Sequence, residues 1–501
     1  MNTGYFGGNM KTPHLWVQSA IRASAMIVVK LLGLFGRVIL TRMLGAEGIG
    51  LYQMGYSFYG FVIMLTGGLP TALAIVTAKQ PKLGWQLLKI TSIGIIFFSG
   101  VISLAVFWKS ISIAQFLGNS ELNDTLRSLA PAIFAAPLLG LLRGYLQGLE
   151  QFSMISASEV VEQASRISIM LLIVYYSLPS GIGNAIGKGL YATFLSLMIS
   201  FLILTVYISR YGLYSHGTKH NSFTLPIRWL IGTSFMISIT RLLVPASEFI
   251  DAILIPNRLI AAGYSSTEAT SIFGIFTGMA ITLVYAPTLI TEALSYTWTM
   301  RIATQWQRKE EQKFQELLRL GIKLSWIWGL ISASFLFVYA KELSVYIFDT
   351  DKATELIKYL SAIPIIVGLR EMTTSILWAQ DIKKIPFIGL GIGICSSIMI
   401  QYFIVAIPGY AYIGVAAGVW SMEMVSAVLN ITVLKRNLHM IKAIPSALLD
   451  VFVVVGIITV LARIKPDSLA SLTSFVMSSI FFFSLTGIYM VLRCKKRNSL
   501  S

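Results

Sequence analysis

Seven cations of this 501-residue chain stand at membrane depth, away from the ends of its apolar stretches: Arg22, Lys30, Arg37, Arg143, Arg166, Arg241 and Arg370. A charge at the centre of a membrane helix costs about 2.5–3.5 kcal/mol on insertion scales, so seven facing lipid would cost roughly 20 kcal/mol together. They are retained where they meet water, protein or an anionic ligand. Fixed Arg and Lys in a low-dielectric site form strong charge-assisted hydrogen bonds, which favour an anionic substrate. In the stretch KLLGLFGRVILTRMLGAEGIGLYQ, Lys30 and Arg37 differ by only about 20° around a helix, and Arg22 lies within about 80° of Lys30. The first helix therefore carries a cationic stripe, which implies a lined cavity. Lys30, Arg37 and Arg241 lead the candidates for substrate contact, with Arg22 and Arg166 beside them.

Other readings of these charges stay open. Arg22, Arg143 and Arg370 are also compatible with snorkelling to an interface or pairing with nearby carboxylates, and Arg370 has Glu371 beside it. Glu159, Glu162 and Arg166 share one helix face, and the four-residue spacing of Glu162 and Arg166 favours an intrahelical pair. Arg241 and Glu248 lie two turns apart with Asp251 three residues on, which suits a cavity cluster or an interlocking salt bridge equally. Glu248, Asp251, Glu292 and Glu423 are candidates for binding a coupling H+ or Na+ where they meet unwound backbone. The alternative is that they neutralise the cations.

Several chemistries are excluded. GIGNAIGKG has Ile182 where a phosphate loop needs its first Gly, and Gly189 where it needs Ser or Thr, so no ATPase is encoded. His216 and His220 have helical metal spacing but stand in a polar loop with no H-E-x-x-H pattern, which reads as solvated residues rather than zinc ligands. Cys395 and Cys494 support neither a disulfide framework nor a cysteine metal site. No catalytic set and no cofactor site is evident. Coupling to the membrane potential, H+ or Na+ is the only accessory requirement in view.

The elements that must position these charges are membrane helices. The chain is 55% hydrophobic and only 12% charged, with a mean hydropathy of +0.75, which places it among polytopic membrane proteins. Apolar runs long enough to cross a hydrocarbon core of about 30 Å fall at 15–40, 48–77, 84–108, 123–148, 153–177, 186–209, 226–255, 269–299, 317–344, 354–379, 384–406, 411–433, 445–463 and 470–492. The first run is too long and too charged for a cleavable signal peptide and is expected to remain as a span. Of the 39 Lys and Arg, 22 fall in the N-terminus, the even-numbered gaps and the C-terminus, against 10 in the odd-numbered gaps. Both termini are therefore expected in the cytoplasm. The basic balance is topological and requires no nucleic-acid partner.

The longest polar stretch, Arg301 to Lys323, has the charge pattern of a surface helix, and no soluble domain fits anywhere. Pro70, Pro137, Pro245, Pro287 and Pro364 lie within spans and favour kinks. GGLPTALA in the second span is echoed by YAPTLITEAL in the eighth, and LQGLEQ after the fourth by LWAQDI after the tenth. This order gives an all-α architecture of about 14 transmembrane helices in two repeated six-helix bundles around a central cavity. An N-lobe at 1–220 and a C-lobe at 221–440 are followed by two further helices and a basic cytoplasmic tail at 441–501.

The stretch KLLGLFGRVILTRMLGAEGIGLYQMGY resembles the signature of the stage V sporulation protein B group within the MOP exporter superfamily of polysaccharide and peptidoglycan-precursor flippases. The resemblance continues through RGYLQG at Arg143, SEVVEQASRI at Ser158, and EFIDAILIPNRLIAAGYSSTEATSIFGIFTGMAITLVYAPT from Glu248 to Thr288. It implies a bacterial plasma-membrane flippase that carries an undecaprenyl-diphosphate-linked saccharide, such as lipid II, outward by alternating access. It also implies that the last two helices supply a groove for the lipid tail. Compared with the first helix of MurJ-type lipid II flippases, Lys30 matches the first cation, Gly36 takes the place of the second, and Arg37 follows one residue later. Two alternatives are a cation-coupled multidrug or metabolite antiporter on the same scaffold and a non-transporting membrane partner of cell-wall synthesis proteins. The antiporter predicts a carboxylate-dominated site. A membrane-embedded enzyme would present loop carboxylates or His near a headgroup, and no such cluster is visible.

Overall fold

The computed structural model describes residues 15–213, 227–434, 448–457 and 472–495. Every regular element among them is helical, and eleven helices are long and apolar enough to cross a membrane. The chain is thus an all-α polytopic membrane protein. In order, the helices are α1 (Leu15–Met64), α2 (Leu69–Lys79), α3 (Pro81–Phe116), α4 (Leu122–Gly148), α5 (Phe152–Ser177) and α6 (Ile182–Arg210). There follow α7 (Ile227–Ala261), α8 (Ser266–Gly274), a π-turn at Ile275–Ala280, α9 (Ile281–Tyr285), α10 (Thr288–Gln307), α11 (Glu311–Val338) and α12 (Ala340–Phe348). The last are α13 (Thr354–Leu360), α14 (Ile363–Ala379), α15 (Lys384–Ile404), α16 (Ala411–Leu434), α17 (Leu448–Ile457) and α18 (Leu472–Lys495).

The first two spans are joined without a loop: α1 runs 50 residues and is interrupted only at Gly45, with φ 66° and ψ −167°. That conformation is essentially restricted to glycine, because a Cβ would clash with the backbone. The turn expected in GAEGIGLYQ is therefore a single-residue break. Three of the prolines mark helix starts rather than bends. Pro70 and Pro364 stand in the first turns of α2 and α14, and Pro287 directly precedes α10, positions where a missing N–H costs nothing. Pro131 and Pro137 lie inside α4.

The surface helix expected between Arg301 and Lys323 is not a separate element. Helix α10 continues to Gln307, Lys309 turns the chain with φ 56°, and α11 begins at Glu311. Its apolar positions explain why: Ile302, Phe314 and Leu318 are buried in one core with Met372, Ile376, Leu377 and Leu434. The basic residues cover the outside of two helix ends whose inner faces are core.

Contacts divide the described chain into two compact units. One holds residues up to Ile39 together with Met54–Phe116 and Ser120–Phe249; the other holds Leu40–Gln53, Leu117–Asn119 and Ile250 onward. The division between them falls inside α7, at Phe249. In the first unit α2 packs on α3 and α4, α3 on α4, and α6 on α4 and α5. In the second, α10 packs on α11 and α14, α11 on α14, and α16 on α14 and α15. The two packing schemes correspond element by element. The sequence echoes sit at matching places in them. LQGLEQ ends α4 with Gln151 N donating to Leu146 O at 3.0 Å, and LWAQDI ends α14 with Ile382 N donating to Leu377 O at 2.8 Å. Glu150 (φ 60°) and Asp381 (φ 63°) occupy the left-handed position that each cap requires.

Two further features belong to the second unit. Leu40–Gln53 is fastened there by Arg42, which donates to the carbonyls of Tyr346 and Ile347 at the end of α12. Gly50 and Gly274 lie directly against the backbones of Thr270 and Ala46, so the spacing of Gly274 and Gly278 does serve close helix packing. Helices α17 and α18 join α11 through Ile327, Ile331, Val454 and Phe482. Buried Asp450 accepts from Tyr489 at 2.6 Å and from Arg493 at 2.8 Å, while Lys323 donates to the Arg493 carbonyl at 2.6 Å. The phosphate-loop lookalike is a helix start: Gly183 and Gly187 bring α6 against Glu121 and Asp124. His216 and His220 lie outside the described residues.

Candidate membrane-depth charge site

Six of the seven cations, namely Arg22, Lys30, Arg37, Arg143, Arg166 and Arg241, belong to the first unit, beside Glu159, Glu162 and Glu248. The second unit carries Arg370 beside Asp251, Glu292, Glu371 and Glu423. The named charges therefore leave the first unit three positive and the second three negative at membrane depth.

In the first unit, α1 and α5 run parallel and in register. Arg22 lies over the Phe152 ring with 5.5 Å to its centroid. A Cβ at Gly33 would stand 3.0 Å from Gln163 Nε2, and one at Gly36 would stand 2.8 Å from Ile167. Gly36 is buried in this seam. A cation at that position would displace Ile167, so this backbone carries its second cation one residue later, at half-buried Arg37. Lys30 is exposed and lies one turn before Gly33, so Lys30 and Arg37 bracket the depth of Gln163 and Arg166. Arg37 also interacts electrostatically with Glu248, an exposed residue of α7.

Glu162 of α5 bridges two guanidiniums. Its Oε2 is 2.8 Å from Arg143 Nη2, and its Oε1 is 3.6 Å from Arg166 Nη1. The intrahelical Glu162–Arg166 pair is the one its spacing indicated; the bridge to α4 is not readable from spacing. Arg143 Nε also donates to Ser158 Oγ at 3.2 Å, Arg166 donates to Gln163 Oε1, and the Arg166 guanidinium lies 5.8 Å from the Tyr56 ring centroid. Arg241 has a different setting. At the break between α1 and α2 it donates to the Gly67 carbonyl at 3.1 Å, and Ser238 Oγ accepts from the Gly68 N–H at 2.9 Å. Arg241 thus places positive charge at a helix C-terminus, where the dipole favours it.

In the second unit the expected neighbour of Arg370 is not its partner. Arg370 Nε donates to Glu423 Oε2 at 2.5 Å, and Tyr285 donates to Glu423 Oε1 at 2.9 Å. Glu371 instead accepts from Thr291 Oγ1 at 2.7 Å. Adjacent helical residues diverge by about 100°, and Glu371 is directed to α10 while Arg370 is directed to α16. Glu423 thus forms an ion pair with Arg370. Glu292 is exposed and Asp251 half-buried. No group of three or more His, Cys, Asp or Glu suited to a metal occurs among the described residues. On α18 a surface hollow of about 460 Å³ is lined by Phe475, Val476, Ser479, Ile480, Phe483 and Ser484.

Two helical units of matching packing, carrying membrane-depth charge of opposite sign, have the layout of transporters built from repeated bundles. The chain belongs to the polysaccharide biosynthesis protein family, whose sequence model matches residues 15–298. It is 26% identical over 415 residues to stage V sporulation protein B of Bacillus subtilis (strain 168), covering 80% of this chain and 79% of that protein. It is 23% identical over 415 residues to lipid II flippase MurJ of the same organism, covering 75% and 74%. Among solved structures, lipid II flippase MurJ in an inward closed conformation superposes with a TM-score of 0.71 at 15% identity, over 94% of this chain and 98% of that one. An inward-facing multidrug resistance MATE family transporter of the MOP superfamily gives 0.67 at 15% identity, over 84% and 98%. These structural likenesses establish the fold.

Proposed function

We propose that this chain is a flippase that moves an undecaprenyl-diphosphate-linked saccharide, with lipid II as the first candidate, across the bacterial plasma membrane by alternating access, both termini being cytoplasmic. The observation that carries this reading is the excess of cations in the first unit, six against three carboxylates. A diphosphate carries the complementary charge, and its polyprenyl tail need not leave the bilayer. Lys30 and Arg37 on the α1 stripe make the headgroup contacts, with Arg22, Arg166 and Arg241 adding to the field. The likeness to lipid II flippase MurJ, and the hollow on α18 as a place for the tail, support the same substrate class.

Glu248, Asp251, Glu292 and Glu423 are the candidates for coupling transport to H+ or Na+. Glu423 is held by both Arg370 and Tyr285, which makes it the least available of the four for an ion. A drug antiporter on this scaffold needs a carboxylate-dominated site, and the second unit carries four of the named carboxylates against one cation. Efflux assays on expressed protein separate that reading from the first. Association with cell-wall synthesis proteins is compatible with the flippase.

The direct test is translocation of labelled lipid-linked precursor in vesicles containing the purified chain. The double variant Lys30→Ala with Arg37→Ala should slow it by at least about tenfold, equivalent to ~1.4 kcal/mol, at normal protein levels. Unchanged transport removes the stripe from the site. Complementation of a strain depleted of its lipid II flippase then identifies the saccharide: failure of the unmodified chain points to a different headgroup.

A further inference from the structure

The contacts of Glu162 are poor for a structural ion pair. A well-seated Arg–carboxylate pair forms two parallel N–H···O bonds with short, aligned contacts. Here one oxygen reaches Arg166 only at 3.6 Å. The other lies 2.8 Å from Arg143 Nη2, yet neither Arg143 Nη2 nor Glu162 Oε2 has an aligned hydrogen bond although both atoms are buried. The two guanidiniums come from different helices, α4 and α5, and converge on one carboxylate. Arg143 and Arg166 remain 22% and 20% accessible at their side chains, so an incoming group can reach them. A tetrahedral anion offers three oxygens to two such forks, which a single planar carboxylate cannot match.

We propose that Arg143 and Arg166 form a phosphate-receiving position beside the α1 stripe, and that Glu162 is an internal counter-ion which the incoming phosphate displaces. The depth is appropriate, since Gly33 meets Gln163 in the α1–α5 seam and Lys30 and Arg37 bracket that level. Glu162 offsets the charge of the two cations while the position is empty. Displacing it sets a like charge beside the bound phosphate, which weakens binding and favours release after the headgroup has moved. Binding and release are thereby balanced by one carboxylate on α5. This inference deepens the flippase reading and rests on its diphosphate-bearing substrate.

The experiment is binding of inorganic pyrophosphate to the full detergent-purified chain by titration calorimetry at fixed ionic strength. Glu162→Gln should bind about tenfold tighter than the unmodified chain, because one like charge has gone, and Arg143→Gln with Arg166→Gln should lose binding by a similar factor. Equal or weaker binding by a monodisperse Glu162→Gln protein overturns the proposal. If that variant does not fold, Arg143→Lys with Arg166→Lys decides. It keeps both charges and the counter-ion, so several-fold weaker pyrophosphate binding supports the two forks and unchanged binding overturns them. The readout is independent of lipid transport. A chain that fails to move lipid-linked saccharide yet binds pyrophosphate more tightly as Glu162→Gln refutes the substrate and leaves the anion position standing.

Discussion

Glu423 is 3% accessible and holds Arg370 and Tyr285 through separate oxygens, so its removal strands a guanidinium at membrane depth. Breaking a buried pair from one side costs about 3–5 kcal/mol, much of it from the charge left behind. Glu423→Ala should therefore lower the thermal midpoint of the purified chain far more than Glu423→Ala combined with Arg370→Met. A double variant as damaged as the single one shows that the ion pair itself is not what Arg370 needs. This pair was not legible in the sequence, because 53 residues separate its partners and Glu371 is the nearer but wrongly directed carboxylate. The Glu162–Arg166 contact was legible because both residues share one helix. Arg143 was visible as an intramembrane cation, but only the packing of α4 beside α5 shows which carboxylate it meets. The same limit applies to Arg241: its charge is plain in the sequence, while its hydrogen bond to Gly67 depends on a break in another helix.

At the scale of elements, helix existence was readable from apolar runs and helix ends from Pro and Gly, but the manner of each interruption was not. Gly45 interrupts α1 with one residue, and composition does not distinguish this from a short loop. Its conformation makes it the most informative single backbone position. Gly45→Ala forces a Cβ into a region that costs of order 1–3 kcal/mol, although open space surrounds the site. Unfolding of the purified variant should shift to lower temperature by that equivalent, with no local repacking to offset it. An unshifted midpoint would mean that α1 can straighten through this residue. The paired caps after α4 and α14 were foreshadowed by LQGLEQ and LWAQDI for a physical reason. Both keep an acidic residue in the left-handed position and a leucine whose carbonyl accepts the closing hydrogen bond. Helices α10 and α11 went the other way: the charges from Arg301 to Lys323 resembled a surface segment because hydropathy averages over a face that is core and a face that is not.

For the whole molecule, the duplicated order of spans was visible in sequence, whereas the exchange of a segment between units was not. Leu40–Gln53 comes from the N-terminal stretch but belongs to the compact unit that otherwise begins, apart from Leu117–Asn119, at Ile250. It contributes Arg42 to the carbonyl end of α12 and the backbone of Ala46 to Gly274 of α8. A fragment of residues 221–501 alone would lack both: α12 would end on uncapped carbonyls, and the glycine face of α8 would lose the helix packed against it. Expressed by itself, that fragment should be cleared by membrane proteolysis or unfold well below the intact chain. Co-expression with residues 1–220 should restore it, since the missing segment needs proximity and not covalent continuity. Gly50→Leu in the intact chain should reproduce part of the defect, because its side chain would enter the space held by Thr270. A lone 221–501 fragment with the thermal stability of the full protein would show that the exchanged segment adds nothing to that unit.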